Sequence, residues 1–218
     1  MQFSSETIQI LKNFASINNS IVFREGDTVS TITASTSIFA RAQVAEHFPR
    51  EVPIYDLGSF LALLTIREGQ EVEFGDKSAI ITKDGGSFEY YYSSSDVVKG
   101  APNKTIEVGE HYKFKLTAED VAMINKAAAI TAAPSLSITS KNQTVTLSLS
   151  NRKNPTANNY KKVIGTSMAD FDVFIPVENL KIIPDAYDVT VDQRKFLHFK
   201  HETKNLQYWL ACEPDSVI

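Results

Sequence analysis

The chain has 218 residues, 43% apolar and 22% charged, with a formal net charge of −4; this is ordinary globular composition, enough for one large domain or two of average size. No run of about 18 apolar residues exists to cross a membrane as a helix, and the excess of acids excludes a uniformly basic nucleic-acid-binding surface. Cys212 is the sole cysteine, so no intrachain disulfide is possible; with no signal-peptide pattern at the N-terminus, a reducing compartment is expected.

The first element is "FSSETIQILKNFASI" (Phe3 to Ile17). Phe3, Thr7, Ile10, Leu11, Phe14 and Ile17 form the stripe of an amphipathic helix, and Ser5, Gln9, Lys12, Asn13 and Ser16 lie opposite. "SIVFREGDTVSTITAS" then reads as two strands around a turn at "EGD", and "YDLGSFLALLTI" (Tyr55 to Ile66) reads as a second helix with Arg67 at its end. The alternating runs "EVEFG", "SAIITK" and "SFEYYY" read as strands, the last two joined at "KDGG", where glycine accepts the positive φ of a tight hairpin. "SSSDVVKGAPNKTIEVGE" (Ser93 to Glu110) reads as a connector, with Val97 and Val98 as apolar exceptions.

The pattern then repeats. "LTAEDVAMINKAAAI" (Leu116 to Ile130) echoes the first helix 113 residues on, sharing Ser4/Thr117, Glu6/Glu119, Ile8/Val121, Ile10/Met123, Leu11/Ile124, Ala15/Ala128 and Ile17/Ile130. Thr117-x-x-Asp120 resembles a capping box. "SLSITSKNQTVTLSLS" follows, with "KNQ" at the turn equivalent to "EGD" and Thr144-Val145 matching Thr28-Val29. "IPVENLKIIP" (Ile175 to Pro184) reads as the second helix of this half and holds Lys181, and "YDVTV", "KFLHFK" and "LQYWLA" close it as three strands. An internal duplication follows, with domains at 1–107 and 108–218. The fold class is α+β, two similar domains each with two helices packed on β-sheets.

Neither polar helix face carries an acid; the acids sit in the first turns, where the helix dipole favours them. On the second helix that face is Ala118, Ala122, Asn125, Lys126 and Ala129. An ordinary solvated face has the same appearance. "NRKNPTANNYKK" (Asn151 to Lys162) holds Arg152, Lys153, Lys161 and Lys162 with no acid, as a basic hairpin loop that either contacts a ligand or is simply solvated. His198 and His201 are three apart on a strand and point to opposite faces, which argues against a shared metal. No zinc-protease, nucleophile-elbow or Walker pattern occurs, so no catalytic residue and no cofactor is expected.

"LKNFASINNSI" (Leu11 to Ile21), "IYDLGSFLALL" (Ile54 to Leu64) and "APNK" (Ala101 to Lys104) resemble the sliding clamps of T-even-type bacteriophages, and "YWLACEP" (Tyr208 to Pro214) is similar to the last strand and tail of the related eukaryotic clamp, proliferating cell nuclear antigen. The resemblance follows the whole chain in order of elements and is most specific in the first third. It implies a DNA-clamp fold, with three two-domain subunits closing into a ring of six domains around double-stranded DNA, helices lining the hole and sheets outside. It implies a DNA polymerase processivity factor without catalysis, opened by a clamp-loader ATPase in the cytoplasm of a bacterial host and tethering polymerase and other replication proteins. On that reading Lys12, Lys126, Arg67, Lys181, Gln9, Asn13 and Asn125 face DNA, although the lining is poorer in lysine than is usual for the family. Partner peptides would dock near Val97, Val98, Trp209, Ala211, Cys212 and Pro214. Tyr90 to Ser93 and Val145 to Ser150 are candidate edge strands for ring closure. The alternatives from other classes are a self-assembling β-rich virion or tail protein and a two-domain enzyme without a recognisable motif.

Overall fold

In the computed structural model, residues 1–98 and 100–218 are described. They fall into two compact units, residues 1–35 with 39–104 and residues 36–38 with 105–218.

In the first unit, helix α1 (Ser5–Ile17) starts at an N-cap, Ser4, whose hydroxyl accepts the Thr7 amide. Strand β1 (Ile21–Phe23) pairs antiparallel with β4 (Val52–Ile54), and β2 (Gly26–Ile32) with β3 (Ile38–Phe48). Helix α2 (Leu57–Thr65) is capped by the Asp56 carboxylate and packs against α1. Strands β5 (Glu71–Phe74), β6 (Ser78–Lys83) and β7 (Gly86–Tyr91) form a meander. At "KDGG" both Asp84 (φ 49°) and Gly85 (φ 78°) are left-handed, as a two-residue hairpin that follows strand twist requires. The core is a cluster of phenylalanines: Phe23 stacks on Phe48 with centroids 4.4 Å apart, and Phe3, Phe60 and Phe74 close around that pair.

The second unit repeats this plan. Strand β8 (Glu110–Leu116) precedes helix α3 (Ala118–Thr131), whose capping box joins Thr117 and Asp120 reciprocally. Strands β9 (Ser135–Lys141), β10 (Thr144–Ser150), β11 (Tyr160–Thr166) and β12 (Phe171–Pro176) form a sheet in the order β11-β10-β9-β12. Strands β13 (Tyr187–Asp192), β14 (Phe196–His201) and β15 (Leu206–Ala211) follow as a meander, with β8 on the outer side of β13. Several pairings have counterparts in the first unit: β9 with β12 as β1 with β4, and β10 with β11 as β2 with β3. Even the chain leaving each meander repeats. The Ser93 amide donates to the Pro53 carbonyl on β4, and the Glu213 amide to the Phe174 carbonyl on β12.

Two expectations change. "IPVENLKIIP" forms no α-helix: β12 runs to Pro176, and only a 3₁₀ turn, Val177–Asn179, follows. Seven residues between Pro176 and Pro184, among them Val177, Ile182 and Ile183, are too few and too β-branched to propagate a helix. Val145 to Ser150 is not an edge either, because β10 bonds to β9 on one side and β11 on the other. The terminal strands of that sheet are β11 and β12, and β12 is bridged at Asp172 by Val217; Tyr90 and Tyr91 do lie on an edge, that of β7, which bonds only to β6.

Candidate nucleic-acid interface

The buried face of α1 is Thr7, Ile10, Leu11, Phe14 and Ile17. Amphipathic packing therefore turns Ser5, Gln9, Lys12 and Ser16 outward, at the helical spacing of one stripe. Asn13, expected beside them, is half-buried. Buried beneath the first turn is Glu46 of β3, whose carboxylate accepts the Ser4 amide and the Thr7 hydroxyl. A carboxylate at a helix N-terminus meets the positive end of the macrodipole, so it both caps and orients α1. Gln9 and Lys12 then border a groove of about 730 Å³ with Arg67 and Glu68, which follow α2. The structure thus brings three of the expected DNA-facing residues, Gln9, Lys12 and Arg67, to one surface. Arg67 stays 4.0 Å from the exposed Asp84 carboxylate, a separation at which a surface ion pair holds it only weakly.

In the second unit Lys126 is exposed on α3 and Asn125 half-buried. Lys181 lies in the irregular segment after the 3₁₀ turn rather than on a helix, and is half-buried. The outward stripe of α3 also differs from that of α1. Its buried residues are Val121, Ile124, Ala127 and Ala128, so the helix presents Glu119, Met123, Lys126 and Ile130 to solvent. Met123 and Ile130 are 49% and 82% exposed, where their echoes Ile10 and Ile17 are 3% and 6% exposed.

The basic loop is a β10–β11 hairpin, but half its charge is engaged. Arg152 donates to both carboxylate oxygens of Asp172 and lies 3.8 Å from the centre of the Phe174 ring. Burial pushes the Asp172 carboxyl up, and the Arg152 and Thr139 hydrogen bonds outweigh it, leaving the carboxyl below its ordinary value. Lys162 bonds to Asp120 in the first turn of α3. Lys153 and Lys161 remain exposed.

Of the residues expected to line a peptide pocket, Val98 is 1% and Val97 60% exposed. Val98 therefore anchors the connector, and only Val97 is bared. Trp209 is buried with its ring stacked 4.9 Å from His198, while Ala211 and Pro214 are exposed. Burial pushes the Cys212 thiol up to about 12, which leaves it protonated and unreactive. Sequence reasoning missed Arg41 and Arg194, which fix the connector. Arg41 donates to the Lys104 carbonyl at 2.7 Å within the first unit, and Arg194 donates to the Glu107 carbonyl within the second. No local pattern marks these bonds, since their partners are 63 and 87 residues away.

A family model described as DNA polymerase processivity factor matches residues 4–98. The chain is 28% identical over 221 residues to the sliding clamp of Vibrio phage KVP40, covering 98% of this chain and 99% of that one. It is 25% identical over 224 residues to that of Enterobacteria phage T4, covering 99% and 98%. Among solved structures, PCNA from Thermococcus kodakaraensis superposes with a TM-score of 0.69 at 13% identity, covering 97% of this chain and 98% of that one. PCNA from A. fulgidus, bound to the C-terminal region of FEN-1, gives 0.69 at 11% identity, covering 99% and 98%. At such identities the structural likeness establishes the fold.

Proposed function

The chain belongs to the sliding-clamp family of phage DNA polymerase processivity factors, and from that premise we propose how it works. Three copies, each contributing two clamp domains at 1–107 and 108–218, close into a ring around double-stranded DNA and tether the polymerase to its template. The observation that carries this reading is the duplicated unit. Each half places one capped helix, α1 or α3, with a single lysine on its outward face and its acid confined to the first turn. Two such units per chain make six in a trimer.

The contact is to phosphates and not to bases, so it carries no sequence information and permits sliding. Lys12 with Gln9 and Arg67 on one unit, and Lys126 on the other, are the lining residues; Asn13, Asn125 and Lys181, all half-buried, contribute less. Lys153 and Lys161 of the basic loop face a loader ATPase or DNA at a ring face. Partner peptides dock at Val97 of the connector and at the exposed tail residues Ala211 and Pro214. The protein has no catalysis of its own and acts in the cytoplasm of a bacterial host. Among the described residues no helix is long and apolar enough to cross a membrane.

Polymerase run length on a primed circular template, with loader and ATP, tests the reading. It rises when the protein is added. It falls again with Lys12→Glu and Lys126→Glu together, while the mass of the assembly in solution stays that of the wild type. A run length indifferent to the protein contradicts the function; one indifferent only to the double variant removes those lysines from the lining.

A further inference from the structure

We propose that Arg41 and Arg194 are positioning residues for partner docking: each donates to a connector carbonyl, and together they hold the connector in the conformation that a replication protein binds. The inference rests on the reading that partners dock at the connector, and it names the two side chains that set that site.

The connector does not hold a shape by itself. From Ala101 to Gly109 it joins neither helix nor strand, so no ladder of backbone bonds orders it. Its start is fixed locally: the Val97 and Val98 amides donate to the Ser94 carbonyl, and Val98 and Ala101 are buried. Beyond that point Pro102, Asn103, Lys104, Thr105 and Glu107 are exposed. A segment with so little buried apolar surface opens easily unless side chains tie it down.

Two arginines from distant points of the sequence supply the ties. In the first unit Arg41 of β3 donates to the Lys104 carbonyl at 2.7 Å, with its guanidinium 5.4 Å from the centre of the Phe39 ring. In the second unit Arg194, in the turn between β13 and β14, donates to the Glu107 carbonyl. The same guanidinium bonds to both carboxylate oxygens of the buried Asp192, which fixes its own place. The Gln193 amide then donates to the Gly109 carbonyl at 3.1 Å, so the connector ends against that turn. Charged donors hold a carbonyl more strongly than neutral ones do, and a planar fork that serves two acceptors at once is particular to arginine. Both bonds fasten exposed backbone, whose carbonyls water would satisfy in their absence, so neither unit needs them to fold. What they fix is the shape of the connector. A connector already held in place spares an incoming partner the cost of ordering it, and that saving appears as affinity.

Hydrogen exchange at the connector amides, measured beside affinity for the cognate DNA polymerase, tests this on the full chain. Arg41→Ala and Arg194→Ala each speed exchange between residues 101 and 108. Each raises the dissociation constant for the polymerase roughly tenfold, as the loss of one charge-assisted hydrogen bond implies. Melting temperature, mass of the assembly and retention on closed-circular DNA stay those of the wild type. Arg41→Lys, which keeps a cationic donor, restores most of the affinity. Arg194→Lys recovers less, because one ammonium cannot serve Asp192 and Glu107 in the same geometry. The two arginines lie on different units, so each substitution is an independent trial. Folded alanine variants that bind the polymerase as tightly as the wild type overturn the proposal and leave the tether reading standing. So does a weakened variant whose connector exchanges no faster. A wild type with no affinity for the polymerase overturns the tether reading itself, and the proposal with it.

Discussion

Glu46 shows how much one buried side chain organises. It is 7% exposed, yet it accepts from both the Ser4 amide and the Thr7 hydroxyl at the start of the helix that carries Lys12. Glu46→Ala leaves those donors without their acceptor and costs about 1–3 kcal/mol in chemical denaturation. Glu46→Gln, which keeps one acceptor oxygen, costs less. Equal stability of wild type and Glu46→Ala rules out the carboxylate as the anchor of α1. The nearby cap Ser4 has its twin in Thr117, and the Thr117–Asp120 box was legible in the sequence because its partners are three residues apart. Glu46 was not, because it reaches Ser4 from 42 residues away. Arg152 is the same case. Its sequence neighbours suggested a free cation, but Asp172, 20 residues on, holds it.

At the scale of elements, the meanders and the hairpins at "KDGG" and "KNQ" were readable because alternation and turn residues are local signals. The missing second helix of the second unit was not. Its apolar residues, Leu180, Ile182 and Ile183, suit a helix or an irregular buried segment equally, and the prolines at 176 and 184 decided the matter. Met123 and Ile130 are apolar like their echoes Ile10 and Ile17 but are exposed where those are buried. The connector has a local signature and non-local fastenings. Its end is bolted by Asp192, 0% exposed, whose carboxylate accepts from the amides of Gly109 and Arg194 and from the Arg194 guanidinium. Burial pushes the Asp192 carboxyl up, but the Arg194 hydrogen bond and the two amides outweigh it and hold the carboxyl below the ordinary aspartate value. A carboxyl depressed in the folded state adds stability above its unfolded pKa, and that contribution is lost as pH falls through the folded value. The midpoint of denaturation therefore falls below about pH 4, and Asp192→Asn lowers it at neutral pH while flattening the acid limb. Parallel acid limbs in the two proteins would assign the acid sensitivity elsewhere.

At the scale of the molecule, an acidic chain that works on DNA is no contradiction. Net charge of −4 keeps the body as a whole from binding nucleic acid tightly, and on the proposed reading the attraction comes from one exposed lysine on α1 and one on α3. Weak, sequence-blind contact suits a protein held on DNA by enclosure, because tight phosphate contact would oppose sliding. The count of units was legible from the echo of one helix. Which strands lie at edges was not: β11 (YKKVIGT) lacks the alternation of β10 (TVTLSLS), and its first three residues fall within the expected basic loop. Enclosure is the central claim, and retention on closed-circular DNA after loading with loader and ATP tests it most directly. The protein stays on the circle through a wash of high salt and runs off when a restriction cut frees the ends. Protein that remains bound to the linear molecule with open ends contradicts topological linkage.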